Sequence, residues 1–112
     1  MEIDRLIEEA ASVANIYSLE LIEIDRTDHI ISLKLLIDNE LFIQIYGNTE
    51  KDKLNLALVF KKKRLYGYDS ERDRSHRHPF ENPDSHFFVS EKKSTKEFVQ
   101  ESMRFLEEKE IL

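Results

Sequence analysis

From residue 31 to residue 68 the chain repeats one pattern: an apolar residue at every second position, broken at short intervals by turn-forming residues. Ile31, Leu33, Leu35 and Ile37 alternate with Ser32, Lys34 and Leu36. Leu41, Ile43 and Ile45 alternate with Phe42, Gln44 and Tyr46, and Leu54, Leu56, Leu58 and Phe60 with Asn55, Ala57, Val59 and Lys61. A period of two belongs to a β-strand, whose side chains leave the two faces of a sheet in turn. Asp38-Asn39-Glu40, Gly47-Asn48-Thr49 and Lys61-Lys62-Lys63 supply the turns. Links this short permit only antiparallel pairing, because a parallel connection needs a crossover. The pattern therefore predicts an antiparallel meander with one apolar face that something else must cover.

Two flanking segments carry the helical period and can cover it. Ile3, Leu6, Ile7, Ala10 and Val13 or Ala14 recur on one side of a helix over 2–15, with Asp4, Arg5, Glu8 and Glu9 on the other. Ser94-Thr95-Lys96-Glu97 reads as a capping box opening a helix over 94–109, whose apolar side carries Phe98, Met103 or Ser102, Phe105 and Leu106. Leu19 and Leu21 begin a first strand ending near Asp25-Arg26. Arg64-Leu65-Tyr66-Gly67-Tyr68 makes a short fifth strand, and Phe87-Phe88-Val89 a strand stub. The expected fold is a single α+β domain over 1–112. It has an antiparallel meander of about five strands across 19–69, with the N-terminal and C-terminal helices packed on one face.

Composition narrows the classes of function. There is no cysteine, which excludes a disulfide, a zinc thiolate site and a cysteine nucleophile. The acidic, amphipathic start Met1-Glu2-Ile3-Asp4-Arg5 lacks the basic and apolar regions of a secretion signal, and runs such as Leu35-Leu36-Ile37 are too short to span a bilayer. The expected location is the cytoplasm, with no membrane partner. Charged residues make up 36%, against about 25% in an average domain, a pattern shared with thermophile proteins. The net charge of -6 argues against a nucleic-acid binder taken whole, yet its distribution is uneven. Between Lys61 and His78 the cations Lys61, Lys62, Lys63, Arg64, Arg72, Arg74 and Arg77 outnumber Asp69, Glu71 and Asp73. A basic patch on an acidic body still attracts phosphate, because charges beyond about 8–10 Å are screened.

Periodicity in hydropathy ends at residue 69. The stretch 69–86 is polar and holds both prolines, so it reads as a long loop, a kind of connection that tends to carry function. Three of the 4 histidines fall there: His76, His78 and His86. Imidazoles exchange protons near neutral pH, and two of them can act as acid and base. In extended backbone His76 and His78 point the same way, and Pro79 favours that conformation for His78. Arg72, Arg74 and Arg77 could hold a phosphate. Histidines beside arginines are what metal-free RNA cleavage needs: a base for the ribose 2′-hydroxyl, an acid for the leaving oxygen, and cations for the phosphorane. The same histidines, with Asp69, Asp73 or Asp84, also allow a metal site with an open position. A solvated polar loop without chemistry is the third reading. Lys61-Lys62-Lys63-Arg64 is either a plain hairpin turn or a clamp on an RNA backbone. His29 reads as a turn residue.

Tyr66, Tyr68-Asp69, His78-Pro79 and His86, in a strand followed by histidines with an adjacent proline, resemble the TumE family. Its members are toxin components of prokaryotic toxin–antitoxin pairs. The resemblance covers the chain from the hairpin at Ala57 to the last helix. It implies a small toxin-like protein, restrained by a cognate antitoxin protein and directed at nucleic acid. His76-Arg77-His78-Pro79 departs from the family's His-His-Pro, and only His86 follows. With that resemblance the expected activity is metal-independent cleavage of RNA, with no cofactor. The candidate catalytic residues are His76, His78, His86, Tyr68 and Asp69, with Arg72, Arg74, Arg77, Lys61, Lys62, Lys63 and Arg64 on the substrate. His78 and His86 are expected about 5–8 Å apart, in reach of one phosphate, with the loop against the end of the sheet. The alternative is a non-enzymatic interaction module. It would form a homodimer or bind a partner through the sheet face that carries Leu36, Phe42, Tyr46, Ala57 and Val59.

Overall fold

The structure, a computed structural model, describes residues 1–72, 74–79, 87–89 and 93–111, with residues 76 and 87–89 as backbone positions. Helix α1 spans Ile3–Tyr17 and helix α2 spans Thr95–Glu108. Between them run β1 (Glu20–Arg26), β2 (Ile30–Asp38), β3 (Leu41–Asn48), β4 (Lys53–Phe60), β5 (Lys63–Glu71), β6 (Arg74–His78) and β7 (Phe87–Val89). The seven strands among the described residues form one sheet in the order of the chain, every neighbouring pair antiparallel. The α+β meander with its two terminal helices is the architecture expected from the sequence, with seven strands rather than five.

The extra strands correct the reading of 69–86 as one loop. β5 continues through Asp69 to Glu71, the chain turns at Arg72, where φ is 54°, and β6 pairs back along β5. No apolar alternation announces this hairpin, because its side chains are polar on both faces. Its strands are held by ladder hydrogen bonds, which any residue except proline can make. Arg72 N also donates to Asp52 O at 2.9 Å, tying the new turn to the β3–β4 turn beside it.

Local chemistry explains the turns. The Thr27 hydroxyl accepts from His29 N and Ile30 N, and Asn48 Oδ1 accepts from Lys51 N, both side chains standing in for backbone acceptors. Gly47 and Asn48 remain in β3, so that turn begins at Thr49. Lys61 and Lys62 both lie at positive φ, 51° and 67°, as a two-residue turn between twisted strands requires.

The core lies on one face of the sheet. Ile31, Leu33, Leu35, Leu41, Ile43, Ile45, Leu56 and Leu58 are buried there under Leu6, Ala10, Val13 and Ala14 of α1 and Phe98, Val99 and Leu106 of α2. Gly47 makes room for this packing: a Cβ at that position would lie 2.6 Å from Leu6 Cδ1, and that side chain would have to shift. α2 opens with the predicted capping box, Glu97 N donating to Ser94 Oγ and Ser94 N to Glu97 Oε1. These bonds hold the Glu97 carboxyl below its usual range. Among the described residues no helix is long and apolar enough to cross a membrane.

Candidate functional site

The β5–β6 hairpin places its side chains in two different environments, and register decides which. Tyr68 lies opposite Arg77, Asp69 opposite His76 and Gly67 opposite His78. Tyr66 and Tyr68 alternate onto the helix-covered face with Leu58 and Leu56 as their partners. Gly67 and Asp69 therefore belong to the open face, with Ala57 and Asn55 across β4.

On the open face the chemistry gathers around Gly67. His78 Nε2 donates to Asp69 Oδ2 at 2.8 Å, from a ring that is only 1% exposed to a carboxylate that is 30% exposed. A Cβ on Gly67 would sit 3.1 Å from Arg64 Cδ and 3.2 Å from His78 Cβ and Cδ2. The Arg64 stem and the His78 ring thus share the space that the missing side chain leaves. Arg64 reaches this face because Leu58 pairs with Tyr66 but Val59 with Arg64, so that Leu65 is an extra residue in β5. The result is an imidazole fixed by a carboxylate, with a guanidinium-bearing side chain beside it. Such a carboxylate orients the ring and sets which of its nitrogens carries the proton.

On the covered face a second polar cluster sits at the border between sheet and α2. The Tyr66 hydroxyl donates to Glu101 Oε2 at 2.7 Å and accepts from Lys93 Nζ at 2.8 Å, while Lys93 pairs with Glu101 at 2.6 Å. The Tyr66 ring stacks on Phe98, centroids 5.0 Å apart and planes within 6°. Burial pushes the Tyr66 hydroxyl above its ordinary pKa. For Lys93 burial acts downward, but the bonds to Glu101 and Tyr66 outweigh it and the net shift is upward. Lys93 is therefore a cation and Tyr66 a neutral phenol at neutral pH. The Tyr68 hydroxyl, 7 residues from its partner, donates to Ser75 Oγ at 3.0 Å and accepts from Lys93 N at 2.9 Å.

The sequence-predicted residues are thus divided. Asp69, His78 and Arg64 come together. Tyr68 is a core residue, 1% exposed, with its hydroxyl committed on both sides. Arg77 leaves on the face opposite to His78, so the two do not serve one phosphate directly. Lys61, Lys62 and Lys63 stand at one end of β5, while Arg72 and Arg74 gather with Lys51 and Glu71 at the other. His86, and with it the expected spacing to His78, lies outside the described residues, as do Asp73 and Asp84. Among the described residues no three His, Asp or Glu side chains come together to hold a metal ion. Lys93, Glu101 and Arg104 were missed, because Lys93 precedes a helix cap and the other two read as the solvated side of α2. Their one signal was the spacing of Glu101, Arg104, Phe105 and Glu108, a single helical stripe.

Comparison with family models, with curated proteins and with solved structures finds no match.

Proposed function

We propose that this chain is a toxin-like protein of a toxin–antitoxin pair that cleaves RNA without a metal, with His78 as the proton-transferring group. The observation that supports this is the 2.8 Å bond between His78 and Asp69 beside Arg64. In the proposed reaction His78 removes the proton of a ribose 2′-hydroxyl and the 2′-oxygen attacks phosphorus. The P–O5′ bond then breaks, and the leaving oxygen takes a proton from an acid for which His86 is the sequence's candidate. The products are a 2′,3′-cyclic phosphate and a 5′-hydroxyl. Asp69 stabilises the imidazolium formed in the first step, and Arg64 the charge on the phosphorane. With the ring 1% exposed, RNA must uncover it on binding.

The test is incubation of the purified protein with cellular RNA in EDTA. Cleavage that leaves cyclic phosphate ends, and that falls by about 10²-fold or more in His78→Gln and Asp69→Asn, is the expected result. Both variants keep a polar side chain, so their thermal midpoints show whether they fold. Folded variants that cleave like the parent, or a parent that does not cleave, refute the assignment and leave the couple a fastener of the hairpin.

A second reading, a module that binds a copy of itself or an antitoxin, is favoured by one specific arrangement. Leu36, Phe42 and Val59 stand side by side across β2, β3 and β4 on the open face, all half-buried, with Lys34 Nζ 4.3 Å from the centre of the Phe42 ring. Light scattering of the parent, of Phe42→Glu and of Val59→Glu decides it. A strict monomer whose solubility and partner binding survive both changes removes this reading.

A further inference from the structure

A cleft of about 630 Å³ opens between the β5–β6 hairpin and the last turns of α2. We propose that it binds the phosphate group of a ribonucleotide, free or within RNA, with Arg77 and Arg104 on the phosphate above a floor formed by Tyr66, Lys93 and Glu101. It lies across the sheet from His78 and does not rest on the cleavage reading.

Charge is the first argument. The chain is acidic overall, yet Arg77, Lys93, Arg104 and Lys109 line the cleft against two carboxylates, Glu101 and Glu108. Glu101 is already committed to Lys93 and Tyr66. Among the described residues neither Arg77 nor Arg104 takes part in an ion pair. Two guanidinium groups from separate elements thus border one opening, and planar forks of donors suit phosphate oxygens.

Construction is the second argument. Arg77 is opposite Tyr68 in register, which sets it diagonally beside Tyr66 on the α2 side of the sheet. Arg104 stands one turn beyond Glu101 on α2. The Tyr66–Lys93–Glu101 bonds fix the floor between them, and the ion pair with Lys93 neutralises the Glu101 carboxylate, so the floor does not repel a phosphate. Size is the third. The volume falls in the range of about 300–1,000 Å³ typical of small-ligand sites and leaves room for a nucleoside beyond the phosphate. Pro79 and Phe105 give it apolar wall for that part.

The experiment is equilibrium binding in EDTA at low salt, followed by calorimetry or phosphorus NMR, with three probes: inorganic phosphate, adenosine 5′-monophosphate, and a short oligoadenylate RNA with a 5′-hydroxyl. Saturable binding of at least one probe is expected. Arg77→Ala and Arg104→Ala should each weaken it roughly tenfold, Arg104→Lys by less, and Lys96→Ala, on another side of α2, not at all. Binding of the mononucleotide identifies a phosphate monoester ligand, and binding of the RNA alone identifies the diester backbone. Three outcomes overturn the proposal. They are no saturation by any probe up to about 10 mM, unchanged affinity in both alanine variants, and equal weakening by Lys96→Ala, which would mark a diffuse charge effect. Arg77 and Arg104 are exposed and on different elements, so failure of one variant to fold leaves the other as the test.

Discussion

The centre of the sheet and the β5–β6 hairpin are built by different rules. In β2 and β3 alternate residues are wholly buried, and the strands are fixed by apolar area: Ile31, Leu33, Leu35, Ile43 and Ile45 are at most 1% exposed. In the hairpin the buried side chains carry polar atoms, namely Tyr66, Tyr68, Ser75 and His78, and each of them is held by a named hydrogen bond. Apolar contact is non-directional and tolerates approximate shape, whereas buried polar groups must meet particular partners. The first region therefore supplies stability, and the second supplies fixed geometry. Both candidate sites, the Asp69–His78 couple and the cleft at Tyr66, belong to the second.

The largest effect expected from this contrast is at the centre. Ile43→Ala removes a fully buried side chain on the helix-covered face of the sheet and should cost about 2–5 kcal/mol in urea unfolding. A loss under about 1 kcal/mol would mean that the centre is not the stabilising region. Tyr68→Phe comes next. It keeps the ring but deprives Ser75 Oγ and Lys93 N of a partner, and about 1–3 kcal/mol should be lost. A neutral substitution would show that the hairpin, too, is held by apolar area alone.

The alkaline limb of stability sharpens the same point. Tyr66 and Lys93 both have folded pKa values above their ordinary values of 10.0 and 10.5. A raised folded pKa gives stability that is complete below the unfolded value and lost as pH rises through the folded one. The parent should therefore lose stability above about pH 10. Tyr66→Phe, measured by chemical denaturation across that range, should show a shallower decline, because it removes one raised group and one of the causes that raise Lys93. Equal slopes would separate the cluster from stability. The smallest effect is expected at Arg74→Ser. Arg74 is exposed and held in β6 by its backbone, so the change should lie within about 0.5 kcal/mol. A larger loss would show that side chains, rather than the ladder, fasten the hairpin.

The meander was legible because each of its strands needs an apolar side, and that need writes a period of two into residues 31–60. The helices were legible for the same reason at their own period, and Ser94-Thr95-Lys96-Glu97 marked the start of α2 to within a residue. The hairpin at 69–78 was not legible as strands, since a ladder of backbone bonds leaves no mark on hydropathy. Only the assembled sheet, by offering β5 as an edge, makes pairing the best use of those amides. The candidate site shows the same division. The residues alone named His78 and Arg64 as having suitable chemistry, because acid/base and cationic groups are properties of side chains, and the family resemblance added Asp69. Their meeting depends on an extra residue at Leu65 that turns Arg64 towards the open face and on a glycine at position 67 that leaves room beside it. The separation of Arg77 from His78 follows from strand alternation once residues 74–78 are known to be a strand. Lys93, Glu101 and Tyr66 meet only because α2 packs back over β5, a contact between residues about thirty positions apart that no local pattern encodes.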